Sequence, residues 1–107
     1  MDNWRVKKLE TMITEDPSDE FVMFALAQEY GKMGLLEKAV KWYEGLKGLN
    51  SNYVGLYYHL AAMYVELDEK DKALETYYSG IKVAQELNDQ HALAELQNAK
   101  LNYELEL

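Results

Sequence analysis

Apolar residues recur at spacings of three and four along almost the whole chain, and nowhere do they alternate with polar ones as a half-buried strand requires. Met23, Leu26, Ala27 and Tyr30 fall on one side of a helix that turns about 100° per residue, and so do Tyr57, Leu60, Ala61 and Tyr64. One proline, Pro17, and six scattered glycines punctuate the pattern. The class this predicts is all-α, with about six helices.

The pattern also repeats. Met23, Leu26, Ala27, Tyr30, Ala39 and Tyr43 are followed 34 positions later by Tyr57, Leu60, Ala61, Tyr64, Ala73 and Tyr77, so that five of the six pairs are identical. Lys38 and Lys72 keep the same spacing. Self-similarity at this period is the mark of stacked helix–turn–helix units, each burying its apolar face on the next. Ala39 and Ala73 are small where two helices must approach closely, with Tyr43 and Tyr77 one turn further along the same face. Gly34 suits a left-handed residue that ends a helix, and Asp68 at the equivalent place tolerates that conformation less well.

"MFALAQEY" and "YYHLAAMY" resemble the first helix of a tetratricopeptide repeat, with its W-x2-L-G-x2-Y spacing, while "AVKWY" and "ALETY" resemble the A-x3-F of the second. Met23 and Tyr57 stand in place of the family's Trp, and Ala27 and Ala61 in place of its Gly. The resemblance implies a short right-handed α-solenoid of antiparallel helix pairs forming one domain over residues 1–107. Its expected parts are a leading half-repeat helix at 3–15, repeats at 19–52 and 53–88, and a capping helix at 89–106. Arg5 occupies the small-residue place in the leading helix, and Asp16, Ser18 or Asp19 is expected to cap the next. The second helix of the later repeat is expected to run on to Leu87 or Asn88, with Asn88 and Asp89 capping the last one. There His91, Ala94, Glu95 and Asn98 fall on the diagnostic places, while Ala92, Leu96, Ala99 and Tyr103 form an apolar face.

Chemistry has little to work with. Cysteine is absent, which excludes disulfides, thiolate nucleophiles and cysteine-ligated zinc. His59 and His91 are far apart in sequence without an H-E-x-x-H, no glycine-rich loop resembles a phosphate cradle, and Ser18 and Ser51 read as turn residues. The expectation is no enzyme, no catalytic residue, no metal and no cofactor. Nine acidic and seven basic side chains in residues 1–50, then ten and four in residues 51–107, make up the net charge of −8. This acidic protein therefore has neither nucleic acid nor a membrane surface as an expected partner. No apolar run reaches the roughly 18–20 residues of a membrane helix, and the start lacks a secretory apolar stretch, so a cytoplasmic setting is expected.

Surface is what remains. In the family that the repeats resemble, the first helix of each repeat lines a concave groove with residues off the inter-helix face. By helical angle these are Phe21, Phe24, Gln28 and Lys32 in the first repeat, and Tyr58, Ala62 and Glu66 in the second, with His59 and Val65 at the margin. Tetratricopeptide domains that grip a C-terminal carboxylate use Lys, Arg and Asn there, and Lys32 is the one cation here, so a carboxylate clamp is not expected. An aromatic groove implies instead a protein or peptide partner that offers apolar side chains, unless the terminal helices of the array cover these rings. Leu101 and Leu105 fall opposite the packing face of the last helix, which leaves a homodimer or a frayed end open. The function expected is thus a non-catalytic protein–protein interaction scaffold that docks a peptide or helix. The alternative is a homo-oligomeric building block using its terminal helices, with a small-molecule binder or an enzyme a distant third.

Overall fold

The computed structural model describes residues 3–107, and among them it has six helices and no strand. These are α1 (Trp4–Glu15), α2 (Glu20–Lys32), α3 (Leu36–Leu49), α4 (Gly55–Glu66), α5 (Lys70–Glu86) and α6 (Gln90–Glu106). Each helix packs on the next, and α2 also meets α4, as α4 meets α6. The backbones of α1, α3 and α5 stand further apart from one another than those of α2, α4 and α6. The inner row is therefore closer set than the outer one, which curves the stack and makes the α2–α4–α6 side its concave face.

Local chemistry explains where the helices begin. The Asn3 side chain accepts a hydrogen bond from the Val6 N–H at 3.1 Å, Asp19 from Val22 at 3.1 Å and Asp89 from Ala92 at 3.0 Å. Each satisfies a donor that a helix start leaves unpaired. Of the three residues expected to cap α2, Asp19 does so. Asp16 closes the preceding turn instead, its carboxylate accepting from both the amide and the hydroxyl of Ser18.

Helix ends repeat as the sequence does. Gly34 and Asp68 have φ of 77° and 58°, and behind them Leu35 N–H donates to Tyr30 C=O at 3.0 Å and Glu69 N–H to Tyr64 C=O at 2.9 Å. These are the bonds of a left-handed helix stop. Asn88, with φ 56° and an Asp89 N–H to Ala84 C=O bond of 2.9 Å, builds a third. That corrects one expectation: Asn88, with its positive φ, stops α5, and Asp89 alone caps α6. Helix α5 runs on beyond the length of α3 as expected, ending at Glu86 with Leu87 as its cap.

The repeat extends to specific contacts. The Tyr30 hydroxyl donates to Glu10 at 2.8 Å, and the Tyr64 hydroxyl donates to Glu44, 34 positions on. Over the same two rings lie the ammonium groups of Lys38 at 5.2 Å and Lys72 at 5.8 Å. Ala27, Ala39, Ala61 and Ala73 are fully buried between helices. Arg5, at the place of Ala39, turns outward towards Glu29 at 3.9 Å, and Val6 is the residue of α1 that is buried.

Two departures from the period matter. Gly80 stands where α3 has Leu46, and a Cβ there would lie 2.5 Å from the Tyr57 Cβ. In α6 the fully buried residue is Leu96, 36 positions after Leu60 rather than 34. His91, Ala94, Glu95 and Asn98 are exposed. Helix α5 has 17 residues where α3 has 14, but the turn after it is shorter. So α6 begins as far after α4 as α4 does after α2, and what shifts is the face of α6 that packs inward.

Candidate interaction surface

The concave side is built where α2 and α4 run side by side. Phe24, half-buried, has its ring centroid 5.4 Å from Tyr53, 5.5 Å from His59 and 5.9 Å from Tyr43. The His59 ring lies almost parallel to that of Tyr43, at 6.1 Å, and Tyr58 meets it edge-on at 5.6 Å. Edge-to-face and offset contacts at these distances suit the ring quadrupoles and hold the cluster rigid. Towards the helix ends the surface opens into a cleft of about 290 Å³, lined by Gln28, Lys32, Tyr43, His59 and Met63.

Exposure sorts the eight residues expected on this face. Phe24 and His59 form a half-buried floor, and Tyr58, 36% exposed, stands at its edge. Gln28 and Lys32 border the cleft. Ala62 is half-buried and Glu66 exposed, and neither lines the cleft. Phe21 departs from the group: 69% exposed, it lies across a separate groove against α1, which Gln28 also borders. The terminal helices do not cover Phe21 or Tyr58, since α1 packs on α2 beside the strip and α6 on α4 and α5.

Charge is sparse here. The Lys32 ammonium is paired with Glu29 at 3.2 Å. Burial lowers the His59 pKa below its ordinary 6.5, against the opposing pull of Glu95 from α6. His59 is therefore a neutral ring at pH 7, with hydrogen-bonding capacity and no formal charge. Among the described residues no group of three or more His, Cys, Asp or Glu side chains is placed to hold a metal ion. None of the helices is long and apolar enough to cross a membrane.

Sequence reasoning missed Tyr53, Tyr43, Met63 and Glu95 as parts of this surface. Tyr53 falls in the turn before α4, where its period-mate is Asp19, so the repeat gives no sign of it. Tyr43 was visible only as a core residue; it is that, at 2% exposed, and its ring is also the underside of the cleft.

Neither a family model nor a curated protein sequence matches the chain. Solved structures do. A tetratricopeptide repeat domain protein from Salinibacter ruber is 46% identical over 83% of this chain and 90% of its own, with a TM-score of 0.78. The TPR2B domain of yeast Sti1, solved as a complex with pHsp70, matches 95% of this chain and 82% of its own at 20% identity and a TM-score of 0.88. PcrH, solved with the chaperone-binding region of PopD, matches 94% and 77% at 19% identity and 0.87. The latter two likenesses are likenesses of fold.

Proposed function

The chain belongs to the tetratricopeptide repeat family, and on that footing we propose that it is a protein-interaction module whose concave aromatic strip holds a helix or an extended peptide of a partner protein. The observation that carries this reading is the open cluster of Phe24, Tyr58 and His59 beside an unfilled cleft. Rings already packed against one another lose little freedom when a partner's apolar side chain settles on them, which favours binding. Two proteins of the same fold are solved with a protein partner, the Sti1 TPR2B domain with pHsp70 and PcrH with the chaperone-binding region of PopD. In this reading α1 is the second helix of a leading half-repeat, α2–α3 and α4–α5 are the two repeats, and α6 is the cap. The shared Glu10–Tyr30 and Glu44–Tyr64 bonds support that division. With Lys32 neutralised by Glu29, the recognition is of apolar and hydrogen-bonding side chains rather than of a terminal carboxylate.

The test is selection of binders from a displayed library of random peptides, followed by mapping on the backbone amide spectrum. Binders enriched in aromatic and aliphatic residues, with shifts centred on Tyr58, His59 and Gln28, are the expected result. Tyr58→Ala removes an exposed ring at little cost to folding, and it should weaken the selected peptides about tenfold, as loss of an aromatic anchor does. Peptides that bind elsewhere, or that ignore Tyr58→Ala, would overturn the proposal.

A further inference from the structure

A second surface lies apart from the aromatic strip. Between α1 and α2 runs an open groove of about 330 Å³, along which Trp4 and Phe21 are each 69% exposed and Met12 39% exposed. Arg5, Lys8 and Glu29 border it. Large apolar side chains gathered in the open, rather than scattered singly, mark an association surface.

Register identifies what the groove is shaped to take. Arg5, Leu9 and Met12 precede Ala39, Tyr43 and Leu46 by 34 positions, and in α3 those three residues are buried. α1 thus turns to the groove the face that its counterpart α3 packs against an inner-row helix. The seat beside α2 fits a helix of the α2, α4, α6 kind. Helix α6 is one. It packs inward with Ala92, Leu96, Ala99 and Tyr103, and it turns Leu101, 53% exposed, and Leu105, 76% exposed, to solvent.

Charge selects the same pairing. α6 carries Glu95, Glu104 and Glu106 against Lys100, whereas the groove is lined by Arg5 and Lys8 against Glu29. The net charge of −8 opposes association of copies. That repulsion is screened beyond about 8–10 Å in physiological salt, while pairs in direct contact are screened much less.

We propose that the α1–α2 groove receives α6 of a second copy of this chain, with Leu101 and Leu105 set among Trp4, Met12 and Phe21, and Glu104 beside Arg5 and Lys8. The contact is heterologous: each copy offers a groove at one end and a helix at the other. It therefore propagates into rings or open chains instead of stopping at a two-fold dimer. Phe24, Tyr58 and His59 take no part, so Tyr58→Ala leaves the assembly unchanged and keeps this inference separate from the peptide-docking one.

Sedimentation equilibrium over a concentration series tests it. The wild-type mass should rise past two chains as concentration increases. A groove variant, Trp4→Glu with Phe21→Glu, and a helix variant, Leu101→Glu with Leu105→Glu, replace exposed side chains and should keep wild-type circular dichroism. Each alone should stay monomeric. Mixed in equal amounts they should form a one-to-one dimer and nothing larger, because one intact groove and one intact α6 remain. A wild type that is monomeric at every concentration overturns the proposal. So does a dimer that survives both variants, or a mixture in which the two variants ignore each other.

Discussion

Replacing Gly80 by alanine tests the packing at the point where the second repeat departs from the first. Two effects of opposite sign compete. Alanine is the better helix former by about 1 kcal/mol, so an unconstrained helical glycine gains stability on the change. At Gly80 the new Cβ would sit 2.5 Å from the Tyr57 Cβ, 3.0 Å from its Cγ and 3.2 Å from the Leu96 Cδ1. Carbon atoms rest at about 3.5–4.0 Å. The obstructing Tyr57 atoms adjoin the backbone, so a rotamer change cannot clear them, and α5 must move away from α4 by about 1 Å. Overpacking of a close-packed core costs about 1–3 kcal/mol and occasionally more. This case belongs at the upper end, since the displacement also loosens the Tyr57 hydroxyl's 2.6 Å bond to the Ser51 carbonyl. After the propensity gain the net loss is about 2 kcal/mol. For a chain of this size that lowers the melting temperature by roughly 10 °C. Urea titration followed by circular dichroism measures it, with Gly48→Ala as the control, because a Cβ at Gly48 meets nothing within 4 Å. Gly48→Ala should gain about 0.5–1 kcal/mol. If Gly80→Ala proved as stable as wild type, the helix contact inferred at Tyr57 would be wrong.

Asp68→Gly should stabilise by about 0.5 kcal/mol in the same titration, since at φ 58° the relief of left-handed strain outweighs the added freedom of the unfolded chain; a loss would refute it. His59 has a folded pKa below its ordinary value, so the unfolded chain takes up its proton first and stability falls as pH drops below 6.5. Urea midpoints at pH 7.5 and 5.5 should therefore differ less in His59→Phe than in wild type, and an equal difference would show that the ring is not desolvated. At the alkaline end Tyr30 is pushed up to about 12 by burial, then by its bond to Glu10 and that carboxylate's charge. Its contribution is complete below pH 10 and is lost as pH rises towards 12. Tyr30→Phe should flatten the alkaline fall in stability, and an unchanged slope would show that Tyr30 ionisation does not contribute to it.

What the sequence made legible was whatever the fold repeats. A 34-residue period records which side chains meet in each unit, and those demands recur: Leu26 and Leu60, Ala39 and Ala73, Tyr43 and Tyr77 are all buried. The helix stops at Gly34 and Asp68 were readable for the same reason. The period fails at α6, where the buried place is Leu96 rather than Ala94. The run-on of α5 beyond the length of α3 was legible, but the change of buried face in α6 was not; the stop at Asn88 is set by backbone geometry and resembles a cap in one dimension.

The interaction surface was legible only in part, and the reason bears on how such a surface arises. Tyr57 stands where repeat one has Met23, Tyr58 where it has Phe24, and His59 where it has Ala25. The first change enlarges a core residue, and the facing helix carries Gly80 where its counterpart has Leu46, so the core absorbs it internally. Of the other two, Tyr58 faces outward and His59 is half-buried against Phe24 and Tyr43 on the concave side. Tyr53 has no aromatic period-mate at all, yet its ring closes one side of Phe24. Residues that repeat are held by packing, and residues that break the repeat without a matching change in the core are free to answer to a partner. By that criterion the proposed docking surface owes its specific part to Phe24, Tyr53, Tyr58 and His59, while Tyr43, which repeats as Tyr77, is the packing residue beneath it.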